Sequence, residues 1–124
     1  MRLLIDSQAF LWWAEAFPAL GSGAHGAIGD PVNEVLISVA ALWELTIKVS
    51  SGKLSLATDL ETIVADQGFA VLPITFPHLR SLAGLPRFHR DPFDRMMIAQ
   101  ALAEGIPIAT GDRVFAAYGV QIVW

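Results

Sequence analysis

The chain contains no cysteine. Disulfides and thiolate metal sites are therefore excluded, and the cytoplasm is the expected compartment. Charge is also scarce. Asp, Glu, Lys and Arg make up 16% of the 124 residues, against 54% hydrophobic, which is the balance of a chain that folds. Basic residues are in the minority, and the net charge is −4. Proteins that hold nucleic acid by bulk charge are basic, so such a role here needs a local basic patch or a bound cation. No apolar run approaches the roughly 18–20 residues that span a bilayer. The opening MRLLIDSQAF lacks the pattern of a signal peptide, and no membrane association is expected. The length predicts one domain, 1–124, with one core. The apolar excess predicts an exposed face that meets another protein or a second copy.

Apolar runs and helical spacings alternate along the chain. RLLI (2–5) and EVLIS (34–38) read as buried strands, FAVLPI (69–74), IPIAT (106–110) and VQIVW (120–124) as further strands. Pro107 suits a strand start or an edge. Helical spacing covers 7–17, 40–49, 77–85, 92–104 and a short 112–118. In the helix over 40–49, Leu42, Leu45 and Val49 form the apolar stripe. A helix over 58–68 carries Thr58 and Glu61 in a capping-box pattern, with Gly68 as its stop. GSGAHGAIGDP (21–31) is glycine-rich and reads as a loop, with a weak helix inside it as the alternative. Strands separated by helices imply an α/β fold with a mainly parallel sheet of about four to five strands sandwiched by helices.

In such sheets ligands bind beyond the carboxyl ends of the strands. Four acids fall near those ends. Asp6 directly follows LLI, and Asp112 follows PIAT by one glycine. Asp94 opens the helix before that strand, and Glu44 lies in the helix after EVLIS. Each has an ordinary structural role open to it. Asp6 and Asp112 suit helix N-caps. Asp91 suits a cap ahead of Pro92, which puts Asp94 at the third helical position, where the dipole favours a carboxylate. Glu44 can pair with Lys48 four residues on. Asp94, however, lines up with Ile98 and Ala101 on an apolar stripe. A carboxylate partly buried in that way costs several kcal/mol unless it is paired or binds a metal ion. Four converging acids repel one another, and a divalent cation or raised pKa values resolve the repulsion. Oxygen-only ligands favour Mg²⁺ or Mn²⁺ over Zn²⁺. Such ions serve phosphoryl chemistry.

Other motifs are weaker. HRD (89–91) echoes the kinase catalytic loop, but Met96 stands where that loop needs Asn. A phosphatase of the haloacid-dehalogenase type needs a second Asp at position 8, which is Gln. His25, His78 and His89 show no metal-ligand spacing; His89 reads as a surface residue or a phosphate contact.

Three segments, LLIDSQAFLWW, ISVAALWELTIKVSSGKL and HRDPFDRMMIAQALAEGIPIATGDRVFAAYGVQIVW, together resemble PIN-domain ribonucleases, specifically the VapC-type toxins of toxin–antitoxin pairs. The resemblance covers essentially the whole chain. It implies a PIN-like fold with Asp6, Glu44, Asp94 and Asp112 forming an acidic site for Mg²⁺ or Mn²⁺. Asp6 and Asp94 would be the main ligands, with Glu44 and Asp112 completing the site directly or through water. Thr110 would orient water or phosphate. Many relatives begin DTHALLW, whereas this chain reads DSQAFLWW, so Gln8 replaces a His while Ser7 keeps a hydroxyl.

The implied activity is metal-dependent hydrolysis of RNA phosphodiesters. Lys48, Arg87, Arg90, Arg95 and Arg113 are candidate guides for the RNA backbone. The implied partners are a cognate small antitoxin protein, which would lay a helix in an apolar groove and push a basic side chain into the acids, and a homodimer mate. Trp12, Trp13 and Trp43 are candidate interface anchors. The alternatives are a catalytically silent PIN domain serving as a protein- or RNA-binding module, and a Mg²⁺-dependent phosphatase.

Overall fold

The computed structural model describes residues 1–124. Five strands form one sheet: β1 (Arg2–Ile5), β2 (Glu34–Ser38), β3 (Ala70–Leu72), β4 (Ile108–Ala109) and β5 (Ile122–Val123). Their spatial order is β3-β2-β1-β4-β5, and every neighbouring pair is parallel. The helices are α1 (Ser7–Ala14), α2 (Ser22–Gly29), α3 (Val39–Ser50), α4 (Leu60–Asp66), α5 (Phe76–Ala83) and α6 (Pro92–Glu104), with a 3₁₀ helix over Arg113–Tyr118. No helix is long and apolar enough to cross a membrane.

The sheet is central because its strands are apolar on both faces. Leu3, Leu4, Ile5, Ile37, Ile108 and Ala109 are fully buried, as parallel strands covered on both sides require. Phe10, Leu45, Met97, Ile98 and Phe115 reach the same core from the helices. Each large side chain buried in this way contributes about 1.5–3 kcal/mol.

The order of the strands locates the site. From β1 the chain moves outward to β2 and β3, then returns to the other side of β1 with β4 and β5. The direction of winding therefore changes between β1 and β4, and the carboxyl ends of those two strands flank the switch-point crevice. Ile5 pairs with Ala109 in register, so Asp6 and Thr110 emerge side by side.

Several expectations need correction. The segment 21–31 is mostly helix and not mostly loop: the weak-helix alternative holds, over Ser22–Gly29. Its glycines permit a close approach, because the Gly23 amide donates to the Trp124 carbonyl at 3.0 Å and any Cβ at Gly21 or Gly23 would collide with Trp124. The capping box at Thr58 and Glu61 does not form. Asp59 caps α4 instead, accepting from Thr62 N at 2.8 Å. A reciprocal contact of that kind starts α5, where Thr75 N donates to His78 Nδ1 at 3.1 Å. Helix α1 ends at Ala14, earlier than Pro18 suggested. The last turn of α3 is exposed, so Val49 lies outside the core while Ala41 and Leu45 carry the buried face. Pro107 precedes an interior strand, which supports the start rather than the edge. The span 92–104 matches α6, with Asp91 as its cap and Gly105 in the left-handed conformation at its end (φ 66°).

Candidate active site

Asp6 leaves β1 and begins α1. Its amide still bonds the Ala109 carbonyl at 3.1 Å, while Oδ1 accepts the Ala9 amide at 2.7 Å. Asp112 begins the 3₁₀ helix by accepting Val114 N at 3.0 Å. Asp94 is held in the first turn of α6 by the Asp91 cap, whose Oδ1 accepts from both Phe93 N (2.8 Å) and Asp94 N (2.9 Å). Ile98 and Ala101, in line with Asp94, are buried. Glu44 sits midway along α3. Its Oε1 accepts the Ser7 hydroxyl at 2.5 Å, and Lys48 Nζ is 3.8 Å from Oε2. The capping and pairing roles are thus real, and they aim the acids rather than use them up.

All four acids line one cleft of about 490 Å³, with Lys48 and the Trp12 and Trp124 indoles also in its wall. Burial raises the pKa of Asp6; the negative charges of Asp112 and Glu44 add to that, and hydrogen bonds from Thr110 and Ala9 oppose it. Asp94 is pushed up to about 7, chiefly by burial, then by the charge of Asp91, with His89 opposing and Glu44 and Asp6 adding smaller repulsion. These are carboxylates whose charge the chain itself does not balance.

Thr110 is buried behind the acids. Its hydroxyl accepts Asp112 N at 3.0 Å and hydrogen-bonds Asp6, so it braces two of the four. Arg95 turns away, its guanidinium donating to the Pro86 carbonyl at 2.8 Å. That contact fastens the segment before α6. Arg113 is exposed beside Asp112. Arg87, Arg90 and Arg95 line a second hollow of about 570 Å³, together with His89.

His89 is the site residue that sequence reasoning undervalued. It is half-buried, with Nε2 2.8 Å from Asp112 Oδ2 and 3.1 Å from Asp94 Oδ2. His89, Asp94 and Asp112 form a group whose ligand atoms lie within 4.8 Å of one another. The available signal was its place two residues ahead of the Asp91 cap, at the start of the helix that carries Asp94. Trp124 has no motif to mark it in the sequence, yet its indole closes on Gly111. Trp12 and Trp13 are partly buried: Trp12 stacks obliquely near Phe17 and Trp124, and Trp13 Nε1 donates to Gln67 at 2.9 Å. Trp43 is 59% exposed and sets its ring edge-on to Phe93, with centroids 5.1 Å apart.

The oxygen donors around the cleft, two of them with raised pKa values, suit a hard divalent cation. The α/β fold around this parallel sheet is also what comparison with known proteins returns. The PIN domain pattern matches residues 3–121, and the chain belongs to that family. Solved structures of similar fold include VapBC2 from Rickettsia felis bound to a promoter DNA fragment (13% identity, 98% of this chain and 97% of that one, TM-score 0.67). They also include VapBC-1 from nontypeable Haemophilus influenzae (15%, 98% and 96%, TM-score 0.65). A third is VapBC-5 from Mycobacterium tuberculosis, a member of the VapBC family of toxin–antitoxin systems (22%, 98% and 97%, TM-score 0.60). No curated protein sequence matches the chain.

Proposed function

We propose that this PIN domain is a Mg²⁺- or Mn²⁺-dependent endoribonuclease and the toxin of a toxin–antitoxin pair. The observation that carries the reading is the convergence of Asp6, Glu44, Asp94 and Asp112 on one cleft at the switch point of the sheet. Asp6 and Asp94 would supply the main oxygens for the ion, and Glu44 and Asp112 would complete the site directly or through water. A bound divalent ion supplies polarisation of the phosphate, activation of water and charge stabilisation on the leaving oxygen.

The chain contributes orientation and charge. The caps on Asp6 and Asp112 fix those carboxylates at the ends of β1 and β4. Ser7 holds Glu44 toward the cleft, and Thr110 spaces Asp6 from Asp112. Lys48 in the cleft wall, Arg113 exposed beside Asp112, and Arg87 and Arg90 of the neighbouring hollow would offer positive charge to a phosphate backbone. Water adds across the phosphodiester: its oxygen joins phosphorus, the bond to the 3′ oxygen breaks, and that oxygen takes a proton. The products carry a 5′ phosphate and a 3′ hydroxyl.

The partner reading follows the same line. Structural neighbours are solved as VapBC and FitAB assemblies. Exposed Trp43, Ile47 and Phe76 give this chain apolar surface for a small antitoxin and for a homodimer mate. Such a pair acts in the cytoplasm, in line with the absence of cysteine.

The test is incubation of the purified protein with RNA in Mg²⁺ and in EDTA, followed by analysis of the product ends. Cleavage in Mg²⁺ alone, leaving 5′ phosphates, supports the proposal. Tight binding of a small partner with no RNA cut would favour a silent binding module. Turnover of small phosphate esters with indifference to RNA would favour a phosphatase.

A further inference from the structure

His89 touches two of the acids, and its ring has two nitrogens with different neighbours. Nδ1 accepts the backbone amide of Asp91 at 3.1 Å. Nε2 faces Asp112 Oδ2 at 2.8 Å and Asp94 Oδ2 at 3.1 Å. A nitrogen that accepts a hydrogen bond carries no proton, so the hydrogen of the neutral ring lies on Nε2. Asp112 therefore receives an N–H and not a lone pair, and Asp94 Oδ2 lies 3.1 Å from the same nitrogen. Turning the ring over would set carbon atoms against both the Asp91 amide and the carboxylates, losing every one of these contacts.

A metal ligand needs the opposite tautomer. With the lone pair on Nε2, the proton would sit on Nδ1 and point at the Asp91 N–H, donor against donor. Metal-bound histidines instead give their second N–H to an acceptor. Position agrees with tautomer. The acidic cleft is lined by Asp6, Glu44, Asp94 and Asp112, whereas His89 lines the basic hollow and not that cleft. The ring is also fixed in place. The His89 amide donates to the Tyr118 hydroxyl at 2.7 Å, and the ring stands edge-on to buried Phe115 at 5.7 Å between centroids. Arg95 secures that segment through the Pro86 carbonyl.

We infer that His89 is a positioning residue of the cation site: its Nε2–H, set by the Asp91 backbone, donates to Asp112 while standing between Asp112 and Asp94, and it does not ligate the ion. The inference rests on the proposed reading of the four acids as a cation site. It gives the cluster of His89, Asp94 and Asp112 an internal donor between two carboxylates that would otherwise repel each other. Asp94 Oδ1, which accepts no hydrogen bond within the chain, is left for the cleft.

The experiment is Mn²⁺ binding, followed by electron paramagnetic resonance and by the spin-echo modulation that reports nitrogen bound to the ion. The full chain should bind Mn²⁺ with no directly coordinated nitrogen, a result that needs no variant. His89→Leu should weaken binding about 10–100-fold, the usual cost of losing an outer partner of a ligand. His89→Gln, which keeps an N–H donor at similar reach, should restore most of the affinity. Coordinated nitrogen that disappears in His89→Leu would overturn the inference. So would equal losses in the Leu and Gln variants, or no loss in either. Asp94→Asn separates the two levels: if the unaltered protein binds no Mn²⁺, or Asp94→Asn binds it as tightly, the cation site itself is wrong. Tight binding through a coordinated nitrogen would leave the site standing and remove only the role given to His89.

Discussion

The Ser7 hydroxyl donates to Glu44 Oε1 at 2.5 Å, joining the first residue of α1 to the middle of α3. Both residues are at least partly buried, so the bond is shielded from water. Hydrogen bonds to charged groups contribute about 1.5–3 kcal/mol. Ser7→Ala should lower the melting temperature and release Glu44 from its orientation. Misplaced catalytic groups are costly, so RNA cleavage should fall on the order of tenfold or more. Melting and cleavage both unchanged would show that this contact does not organise the site.

Asp94 makes the site sensitive to pH. Its pKa is about 7 in the folded chain, raised chiefly by burial, against about 3.9 unfolded. An acid with a raised folded pKa favours the folded state below its unfolded pKa, and that contribution is lost as pH rises through the folded value. The metal-free protein should therefore lose stability between about pH 4 and about pH 7. Asp94→Asn should flatten that slope in melting curves taken across the range. Some slope should remain, because Asp6 is shifted in the same direction. Mn²⁺ affinity should rise over the same window, since ligands must be ionised to bind. Affinity independent of pH would contradict the assignment of Asp94.

Gly23 is a packing residue. A Cβ there would sit 2.4 Å from the Trp124 carbonyl oxygen and 3.1 Å from its carbon, both backbone atoms that cannot swing aside. Gly23→Ala should destabilise the chain by about 1–3 kcal/mol. Because the Trp124 indole lines the cleft, activity should fall as well. Gly26 lies in the same helix with nothing within 4 Å of its would-be Cβ. Gly26→Ala should stabilise by about 0.5–1 kcal/mol. Denaturant titration of both variants distinguishes these outcomes.

Gln100 ties α6 to the end of β2. It is fully buried, its Oε1 accepts the Ser38 hydroxyl, and its Nε2 donates to the Pro73 carbonyl at 3.3 Å. Ser38 in turn caps α3 through Ala40 N at 3.0 Å. Gln100→Leu leaves Ser38 without that partner and Pro73 O without a donor, at about 1–3 kcal/mol for each unsatisfied group. Unfolding in denaturant should show a loss of that order. A near-neutral result would mean the network is replaceable by apolar packing.

Much of this architecture is legible in the sequence where one local signal dominates. RLLI and EVLIS are too apolar for anything but buried strands, and Asp91-Pro92 followed by Gly105 brackets α6. Position alone also marked the acids, because Asp6 and Asp112 follow apolar runs that end at the sheet edge. Elsewhere tertiary contacts decided the outcome. SGAHGAIG is a poor helix former, and it is helical where Trp124 packs against it. Thr58 offers a good capping pattern, but Asp59 sits one residue closer and takes the cap. His89 has no spacing signature, since its partners lie five and twenty-three positions away and meet it only in the fold.

Cleavage of RNA by the purified chain and by Asp94→Asn under identical Mg²⁺ concentrations is the most direct test of a metal-dependent ribonuclease. Loss of a residue that holds the ion should reduce the rate by about 10² or more, with melting showing the variant folded. EDTA should abolish cleavage by the unaltered protein. Cleavage that persists unchanged in Asp94→Asn, or in EDTA, would contradict a metal-dependent ribonuclease built on these four acids.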